Sequence, residues 1–192
     1  MKRIAITGSN RSGRSNLAQA FSAISGIGII TDTPYSLIAA KYGIDRDIEK
    51  CQWPDSFLYC LGAFTQRMMI EQKYVESYIS DGGVFQEISW LKCRFPHIDP
   101  IYERSMIRCL EKIISDYASN EYDFIFHIDS NDASDAIDHC LKQHYRHSRI
   151  NHYLIDGSDK KEALNQMLDY LQIKSALSVG YSQLKVDSLL GS

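Results

Sequence analysis

The chain has 192 residues, of which 44% are hydrophobic and 23% charged, and its formal net charge is −3. A chain of this length and composition is expected to form one globular domain with a sizeable core. The slightly negative charge argues against nucleic acid or an anionic membrane as the main partner. No apolar run is long enough to span a bilayer.

The N-terminus and the cysteines both predict a cytoplasmic protein. The first apolar run begins at Arg3, so we expect no signal peptide. The five cysteines are scattered and form no Cys-x-x-Cys pair, a pattern typical of reduced thiols inside the cell.

Short apolar runs alternate with helical patterns along the chain. Strands are predicted at Arg3–Thr7, Gly28–Thr31, Tyr78–Ser80, Asp123–Ile128 and His152–Ile155. Helices are predicted near 14–25, 34–42, 55–76, 84–95, 99–118, 132–147 and 159–171. This alternation predicts a parallel sheet covered by helices on both faces. We divide the chain into one domain, 1–172, and a weakly periodic C-terminal tail, 173–192, which is either frayed or a partner-docking segment.

A glycine-rich turn follows the first predicted strand and precedes the first predicted helix. It reads as the phosphate-binding loop (P-loop) pattern G-x-x-x-x-G-K-S/T, with Arg14 in place of the lysine. Such a turn gathers backbone N–H groups at the positive end of a helix, where phosphate is attracted. We therefore assign nucleotide binding to Gly8, Ser9, Asn10, Arg11, Ser12, Gly13, Arg14, Ser15 and Asn16. Ser15 is predicted to hold Mg²⁺ and Arg14 to reach the outer phosphates; a chance match in a serine- and glycine-rich loop is the alternative.

Carboxylates follow most of the predicted strands, at the sheet edge where ligands bind in such folds. Asp81 is our first candidate to orient an acceptor hydroxyl or to act near Mg²⁺, and Gly82 and Gly83 would leave room for a ligand. Asp32 is the second candidate, for substrate binding. Each aspartate alone could be a turn residue or a helix N-cap, and Asp81 could cap a helix that starts near Val84.

Basic residues accumulate between the fourth and fifth predicted strands. Lys142, Arg146 and Arg149 predict a lid over bound phosphates, with Arg146 and Arg149 stabilising transition-state charge. The same stretch holds four potential zinc ligands, Cys140, His144, His147 and His152, so a zinc site is an alternative. The neighbouring cations argue against it.

Four segments together resemble the P-loop kinase group of nucleoside, nucleotide and related small-molecule kinases. They are Ile6–Ser15, Tyr78–Phe85, Tyr122–Ile128 and Leu154–Ser158. Within that group the chain looks most like the AAA-type ATPase/kinase domains typified by ribosylnicotinamide kinases. The resemblance implies a three-layer α/β/α P-loop NTPase fold with a five-stranded parallel sheet ordered 2-3-1-4-5.

The resemblance also implies ATP and Mg²⁺ as cofactors and transfer of the γ-phosphate to a small hydroxyl-bearing, nucleoside-like acceptor. It places Gly157 and Ser158 beside the base. Gly82 stands where the group usually has an arginine, whose substrate contact Arg67 would replace, with Arg94 and Arg104 as further options. Because Arg14 and Gly82 depart from the pattern, the alternative is a catalytically degenerate nucleotide-binding protein with a regulatory or assembly role. A homodimer is possible.

Overall fold

The structure is a computed structural model that describes residues 1–9, 12–31, 35–42, 50–97, 101–130, 135–147 and 150–171. Strands and helices alternate through these residues. In chain order they are β1 Arg3–Gly8, α1 Arg14–Ser25, β2 Gly28–Ile30, α2 Tyr35–Tyr42, α3 Trp53–Glu71, β3 Tyr78–Asp81, α4 Gln86–Arg94, α5 Ile101–Glu121, β4 Phe124–Asp129, α6 Ala136–His147, β5 His152–Asp156 and α7 Lys160–Tyr170. Each strand lies within one residue of its predicted bounds at either end.

The five strands form one parallel sheet in the order β2-β3-β1-β4-β5, which confirms the predicted fold. The central strand β1 pairs with β3 and β4, so that Ile6 lies opposite Asp81 and Gly8 opposite Ile128. Because parallel strands end at the same edge of a sheet, the glycine-rich turn after β1 lies beside the ends of β3 and β4.

Helices cover both faces of the sheet and complete the three layers. On one face, α1 and α7 pack on Ile4 and Ile6, while Ala5 faces the opposite core, which is built with α3, α4, α5 and α6. This alternation follows from the two-residue period of a strand. Full burial of a side chain such as Phe21 or Ile114 stabilises the fold by about 1.5–3 kcal/mol.

None of the described helices is long and apolar enough to cross a bilayer. The predicted tail at 173–192 lies outside the described residues.

Candidate active site

The P-loop turn requires glycine at both of its ends. Gly8 has a φ of +149°, and a Cβ there would lie 2.6 Å from Ser12 Oγ and 2.7 Å from the carbonyl oxygen of Ile128. Gly13 has a φ of +72° in the left-handed region. Ser12 closes the turn, since its backbone N–H and its hydroxyl both donate to the carbonyl of Ser9, at 3.1 Å and 2.8 Å. Only glycine avoids these clashes and this strain.

A cavity of about 320 Å³ opens at the start of α1, lined by Ser9, Gly13, Arg14, Ser15 and Asn16. The first backbone N–H groups of a helix have no partner within the helix and carry its positive end. The Ser15 hydroxyl adds an oxygen of the kind that Mg²⁺ accepts. Anion-binding groups and a hard oxygen donor thus share one cavity, which fits a phosphate and its magnesium ion. Two residues assigned to nucleotide binding, Asn10 and Arg11, lie outside the described residues.

Arg14 joins the P-loop to the end of β3. Its guanidinium is buried, with Nε 2.8 Å from Oδ1 of Asp81, and its Nη1 donates to the carbonyl of Gly8 at 3.3 Å. Asp81 is 5% exposed, so its carboxylate meets the cation in a largely dry environment, where such a pair is strong and costly to break. The sequence predicted both residues for catalysis, and the structure brings them together. The N-cap role of Asp81 is wrong, because α4 begins at Gln86 and no side chain caps it.

Gly83, the second glycine after Asp81, does not leave the space that the sequence suggested. Gly82 and Gly83 have φ values of +98° and +62°. A Cβ on Gly83 would lie 3.1 Å from the Ala5 Cβ and 3.2 Å from the Thr7 Cγ2. The glycines therefore let the chain turn tightly against β1, and the room beside Gly83 is already filled by that strand.

Arg67 reaches the same strand end from α3. Its Nη1 donates to Ser80 Oγ at 2.8 Å and to the carbonyl of Asp81 at 3.0 Å. Beneath it lies Glu71, which is fully buried. Hydroxyl donors to Glu71 come from Ser80 at 2.5 Å and from Tyr117 and Tyr122 at 2.8 Å each. Burial raises the pKa of Glu71, and the Arg67 cation and these hydrogen bonds offset that rise only in part.

Glu87 was not singled out from the sequence, because a glutamate in the first turn of a helix such as α4 is usually a surface residue. One of its carboxylate oxygens, Oε2, is buried and accepts no hydrogen bond within the described part of the chain. Burial raises its pKa, while the cations of Arg67 and Arg14 lower it less strongly. With Arg67 it lines a cavity of about 10 Å³, room for about one water, that also borders Thr31 and Ile38.

A chain of buried polar groups supports the P-loop from α6 and β4. The hydroxyl of Tyr145 donates to Thr7 Oγ1 at 2.7 Å, and Thr7 lies 3.2 Å from Nδ1 of His127. The other ring nitrogen, Nε2, lies 2.8 Å from Oδ1 of Asp138, whose second oxygen contacts Lys142 at 2.8 Å. With a proton on Nε2, the His127 ring donates to Asp138. The strand residue just before the P-loop is therefore held by side chains from two other elements.

Lys142 connects this chain to the end of β4. Its Nζ lies 2.8 Å from Oδ2 of Asp129 as well as from Asp138, so the strand-end carboxylate of Asp129 is ion-paired. Burial raises the pKa of Asp138, but the hydrogen bonds from His127 and Lys142 outweigh it and bring that pKa below its usual range.

The turn after β5 packs directly on the P-loop. Gly157 donates to the carbonyl of Asp129 at 3.2 Å, and a Cβ on Gly157 would lie 2.5 Å from that oxygen and 3.5 Å from the carbonyl of Ser12. Lys160 comes close as well, since its Cε lies 3.4 Å from the position of a Cβ on Gly13. The predicted base-side residue Gly157 thus lies next to the loop, together with a lysine that the sequence reasoning did not single out.

Among the remaining predictions, Arg94 and Arg104 lie on α4 and α5, Ser158 follows β5, and the others lie on α6 or outside the described residues. Arg146 is exposed on α6, and Asp32 and Arg149 lie outside the described part of the chain. The described residues do not support the zinc alternative, because they contain no group of three or more His, Cys, Asp or Glu side chains that could hold a metal ion. Instead, the His144 ring stacks on Phe85 with centroids 5.4 Å apart.

The sheet order, together with the glycine-rich turn at the start of α1, defines the P-loop NTPase fold in the form found in nucleoside kinases. The structure of deoxyadenosine kinase from M. mycoides with bound dATP is similar to this chain, with a TM-score of 0.66 and 14% sequence identity. The match covers 88% of this chain and 99% of that kinase. Thymidylate kinase from Candida albicans is also similar, with a TM-score of 0.56 and 14% sequence identity, and the match covers 89% of this chain and 91% of that kinase.

The YorR protein from Bacillus subtilis, in complex with phosphorylated GDP, is similar with a TM-score of 0.54 and 12% sequence identity. The match covers 90% of this chain and 97% of that protein. No protein-family model and no curated protein sequence matches the chain. At such low identities, the structural likeness establishes the fold.

Proposed function

We propose that this chain is an ATP-dependent kinase that transfers the γ-phosphate to a small hydroxyl-bearing, nucleoside-like acceptor. The observation that carries the proposal is the 320 Å³ cavity at the start of α1, where a phosphate cradle lies beside the Arg14–Asp81 ion pair. Phosphoryl transfer depends mainly on positioning and on electrostatic stabilisation, and both are provided by such a cradle and its neighbouring charges. The solved structures of similar fold include a kinase with bound dATP, in line with nucleoside triphosphate as a ligand.

Each group at the site has a role in this proposal. The backbone N–H groups of the P-loop and the Arg14 guanidinium hold the phosphates, and Ser15 binds Mg²⁺, which when present neutralises charge between the β- and γ-phosphates. Asp81 keeps Arg14 in place through Oδ1, and we assign its second oxygen to the acceptor hydroxyl. Arg146, with Arg149, closes over the γ-phosphate as the lid.

Acceptor recognition falls to the other side of Asp81. Arg67 and the unpartnered Oε2 of Glu87 offer a donor and an acceptor that face the same small cavity. An acceptor of nucleoside size does not fit into about 10 Å³, so binding requires α2 or the side chains around Ile38 to move outward. We retain Asp32, which follows β2, as a further substrate ligand. Gly157 and Ser158 remain our proposal for the edge of the adenine site.

The acceptor is tested with the purified full chain in a coupled assay of ADP release. ATP and GTP are supplied with and without Mg²⁺, alongside deoxyadenosine, thymidine, thymidylate, guanosine and ribosylnicotinamide. ADP release that an acceptor stimulates, with a phosphorylated product of matching mass, would support the kinase. Tight ATP binding without transfer to any acceptor would contradict it, and no nucleotide affinity at all would overturn nucleotide binding as well.

The second candidate is a catalytically degenerate nucleotide-binding protein with a regulatory or assembly role. The observation that favours it is the contact between Arg14 and Asp81, because a cation paired with a carboxylate gives less charge to a phosphate. The Arg14→Lys variant separates the two. A large gain in turnover would identify Arg14 as a deactivating substitution, whereas a loss would indicate a site built around the guanidinium. The cytoplasmic location and the homodimer stay predictions.

A further inference from the structure

Two cysteines that are distant in sequence meet between α4 and α6. The Sγ atoms of Cys93 and Cys140 lie 3.3 Å apart, and the Cys93 thiol donates a hydrogen bond to the sulfur of Cys140. Both side chains are half-buried, so small reagents have partial access. Among the other cysteines, Cys51 and Cys60 are buried and Cys109 is exposed.

The separation of the two thiols is close to that of a bonded pair. A disulfide has a sulfur–sulfur distance of about 2.05 Å, so the two atoms must approach by only about 1.3 Å. Cys93 lies in the last turn of α4 and Cys140 near the middle of α6. We expect rotation of the two side chains to close this gap.

The pair is also chemically asymmetric, as thiol exchange requires. The pKa of Cys140 is lowered to about 7. The largest cause is the hydrogen bond from Cys93, and the Lys92 cation also lowers the pKa, whereas burial and the Glu111 carboxylate oppose the lowering. The pKa of Cys93 is raised, first by that same hydrogen bond, then by burial and by Asp135, against a lowering by Lys92. Cys140 is therefore the better nucleophile and Cys93 the partner that resolves the product.

We propose that Cys93 and Cys140 are a reversible modification site that exchanges with a low-molecular-weight disulfide and closes into an intramolecular disulfide between α4 and α6. The Cys140 thiolate attacks one sulfur of the small disulfide, forms a mixed disulfide and releases one small thiolate. Cys93 then loses its proton, attacks the sulfur of Cys140 and releases the second small thiolate. The two protein thiols give up two electrons and the small disulfide takes them up; excess small thiol reverses both steps.

The two linked helices carry groups from both sides of the candidate active site. Helix α4 holds Glu87, and α6 holds Lys142 and Tyr145, which connect to the P-loop through the buried polar chain. Fastening one helix to the other fixes the acceptor side relative to the nucleotide side. The expected consequence, a several-fold slower acceptor-stimulated turnover in the oxidised protein, rests on the proposed function.

The bond itself is tested without any activity assay. The folded full chain is incubated with excess oxidised glutathione, and the intact mass, the free thiols in denaturant and the linked peptides are then measured. Of the five thiols, we expect those of Cys93 and Cys140 to be lost, with no glutathione retained on either residue and one peptide pair joined through them. Reduced glutathione should restore all five thiols, and the disulfide should raise the Tm by several degrees.

Single variants make the outcome unambiguous. Cys93→Ser should retain one glutathione on Cys140, because no resolving thiol remains, and Cys109→Ser should oxidise like the natural chain. The proposal would be overturned if glutathione were found only on Cys109, or if the thiols of Cys93 and Cys140 persisted after prolonged oxidation. A disulfide that forms without changing turnover in an active enzyme would leave the modification site standing and refute its effect on catalysis. An enzyme that is inactive even when reduced would instead refute the proposed function.

Discussion

The proposed nucleotide side (the P-loop and its supports) and the proposed acceptor side (Arg67, Glu71 and Glu87) of this sheet edge are built in opposite ways. The described part of the P-loop takes its shape from nearby residues, with glycines at positions 8 and 13 and one serine, Ser12, that closes the turn. The acceptor side is assembled from α3, β3, α4 and α5, and its Glu71 accepts a hydrogen bond from Tyr122, 51 positions away. A site encoded locally depends on backbone conformation, whereas a site encoded at long range depends on how its charges are balanced.

The largest expected effect strikes the backbone of the nucleotide side. Gly8→Ala forces a Cβ to within 2.7 Å of the Ile128 carbonyl at a φ of +149°. Strain and overpacking together should lower the free energy of unfolding by about 4 kcal/mol and weaken ATP binding more than about 100-fold. Denaturant unfolding and nucleotide titration measure the two quantities.

Gly26→Ala is the matched control for the backbone argument. Gly26 also has a positive φ, +71°, but a Cβ there meets nothing within 4 Å. This change should cost about 1 kcal/mol of stability and leave ATP affinity unaltered. Equal loss of ATP binding in both variants would show that the close approach at Gly8 is not what shapes the loop.

The next effect concerns the contact that joins the two sides. Asp81→Asn removes the charge opposite Arg14 in a pair whose side chains are 7–8% exposed. A buried cation without its partner should lower the free energy of unfolding by about 3 kcal/mol. ATP affinity should hold or rise because Arg14 becomes available to phosphate, while turnover falls about 100-fold.

Asp116→Asn serves as the control for Asp81, since its ion pair with Lys112 is exposed and water screens it. Its stability should match that of the unaltered chain. If Asp81→Asn lost ATP affinity and turnover to the same extent, the carboxylate would serve the nucleotide alone and the two sides would not be linked through it.

The same contrast explains what could be predicted from the sequence. Strand–helix alternation was sufficient for a parallel sheet covered by helices on both faces, the family resemblance implied the strand order, and eight adjacent residues indicated the P-loop. The position of Arg14 against Asp81 was not predictable, because it depends on the register between β1 and β3. Nor was the space beside Gly83, which β1 fills.

Glu87 was missed for a more instructive reason. A lone glutamate in the first turn of a helix is usually solvated, and that pattern guided the interpretation. Its spacing carried a contrary signal, since Glu87 is three residues after Val84 and four before Leu91, both fully buried. A charge on a buried helical stripe indicates a partner or a ligand, but the cation that lowers the pKa of Glu87 most, Arg67, comes from a different helix.

A moderate effect is therefore expected on the acceptor side alone. Glu87→Gln keeps the shape of the side chain but weakens a charge-assisted hydrogen bond to the acceptor. The KM for the acceptor should rise about tenfold, equivalent to about 1.4 kcal/mol, with ATP affinity unchanged. Glu162→Gln, on the exposed side of α7, is the control. An unchanged KM together with a higher Tm would instead identify Glu87 as a buried charge without a ligand.

An effect of similar size on the nucleotide side should depend on pH. The folded pKa of Asp138 is below its unfolded value, so its contribution to stability is complete above about pH 4 and is lost as the pH falls through the folded pKa. The free energy of unfolding of Asp138→Asn should therefore be about 1.5 kcal/mol lower than that of the unaltered chain at pH 7. This difference in the free energy of unfolding should become smaller only below about pH 4. Denaturant unfolding from pH 3 to pH 8 measures it, and a gap that is constant down to pH 3 would contradict the lowered pKa.

The smallest effect, on the acceptor side, should have the opposite sign. Burial raises the folded pKa of Glu71 above its unfolded value, so its stabilising contribution is complete below about pH 4 and is lost as the pH rises through the folded pKa. Glu71→Gln cannot ionise, and its stability relative to the unaltered chain should therefore increase with pH over the range in which Asp138→Asn shows a constant gap. If both variants drifted in the same direction with pH, the two sides would share one electrostatic environment, and the distinction between a locally shaped and a charge-balanced half of the site would fail.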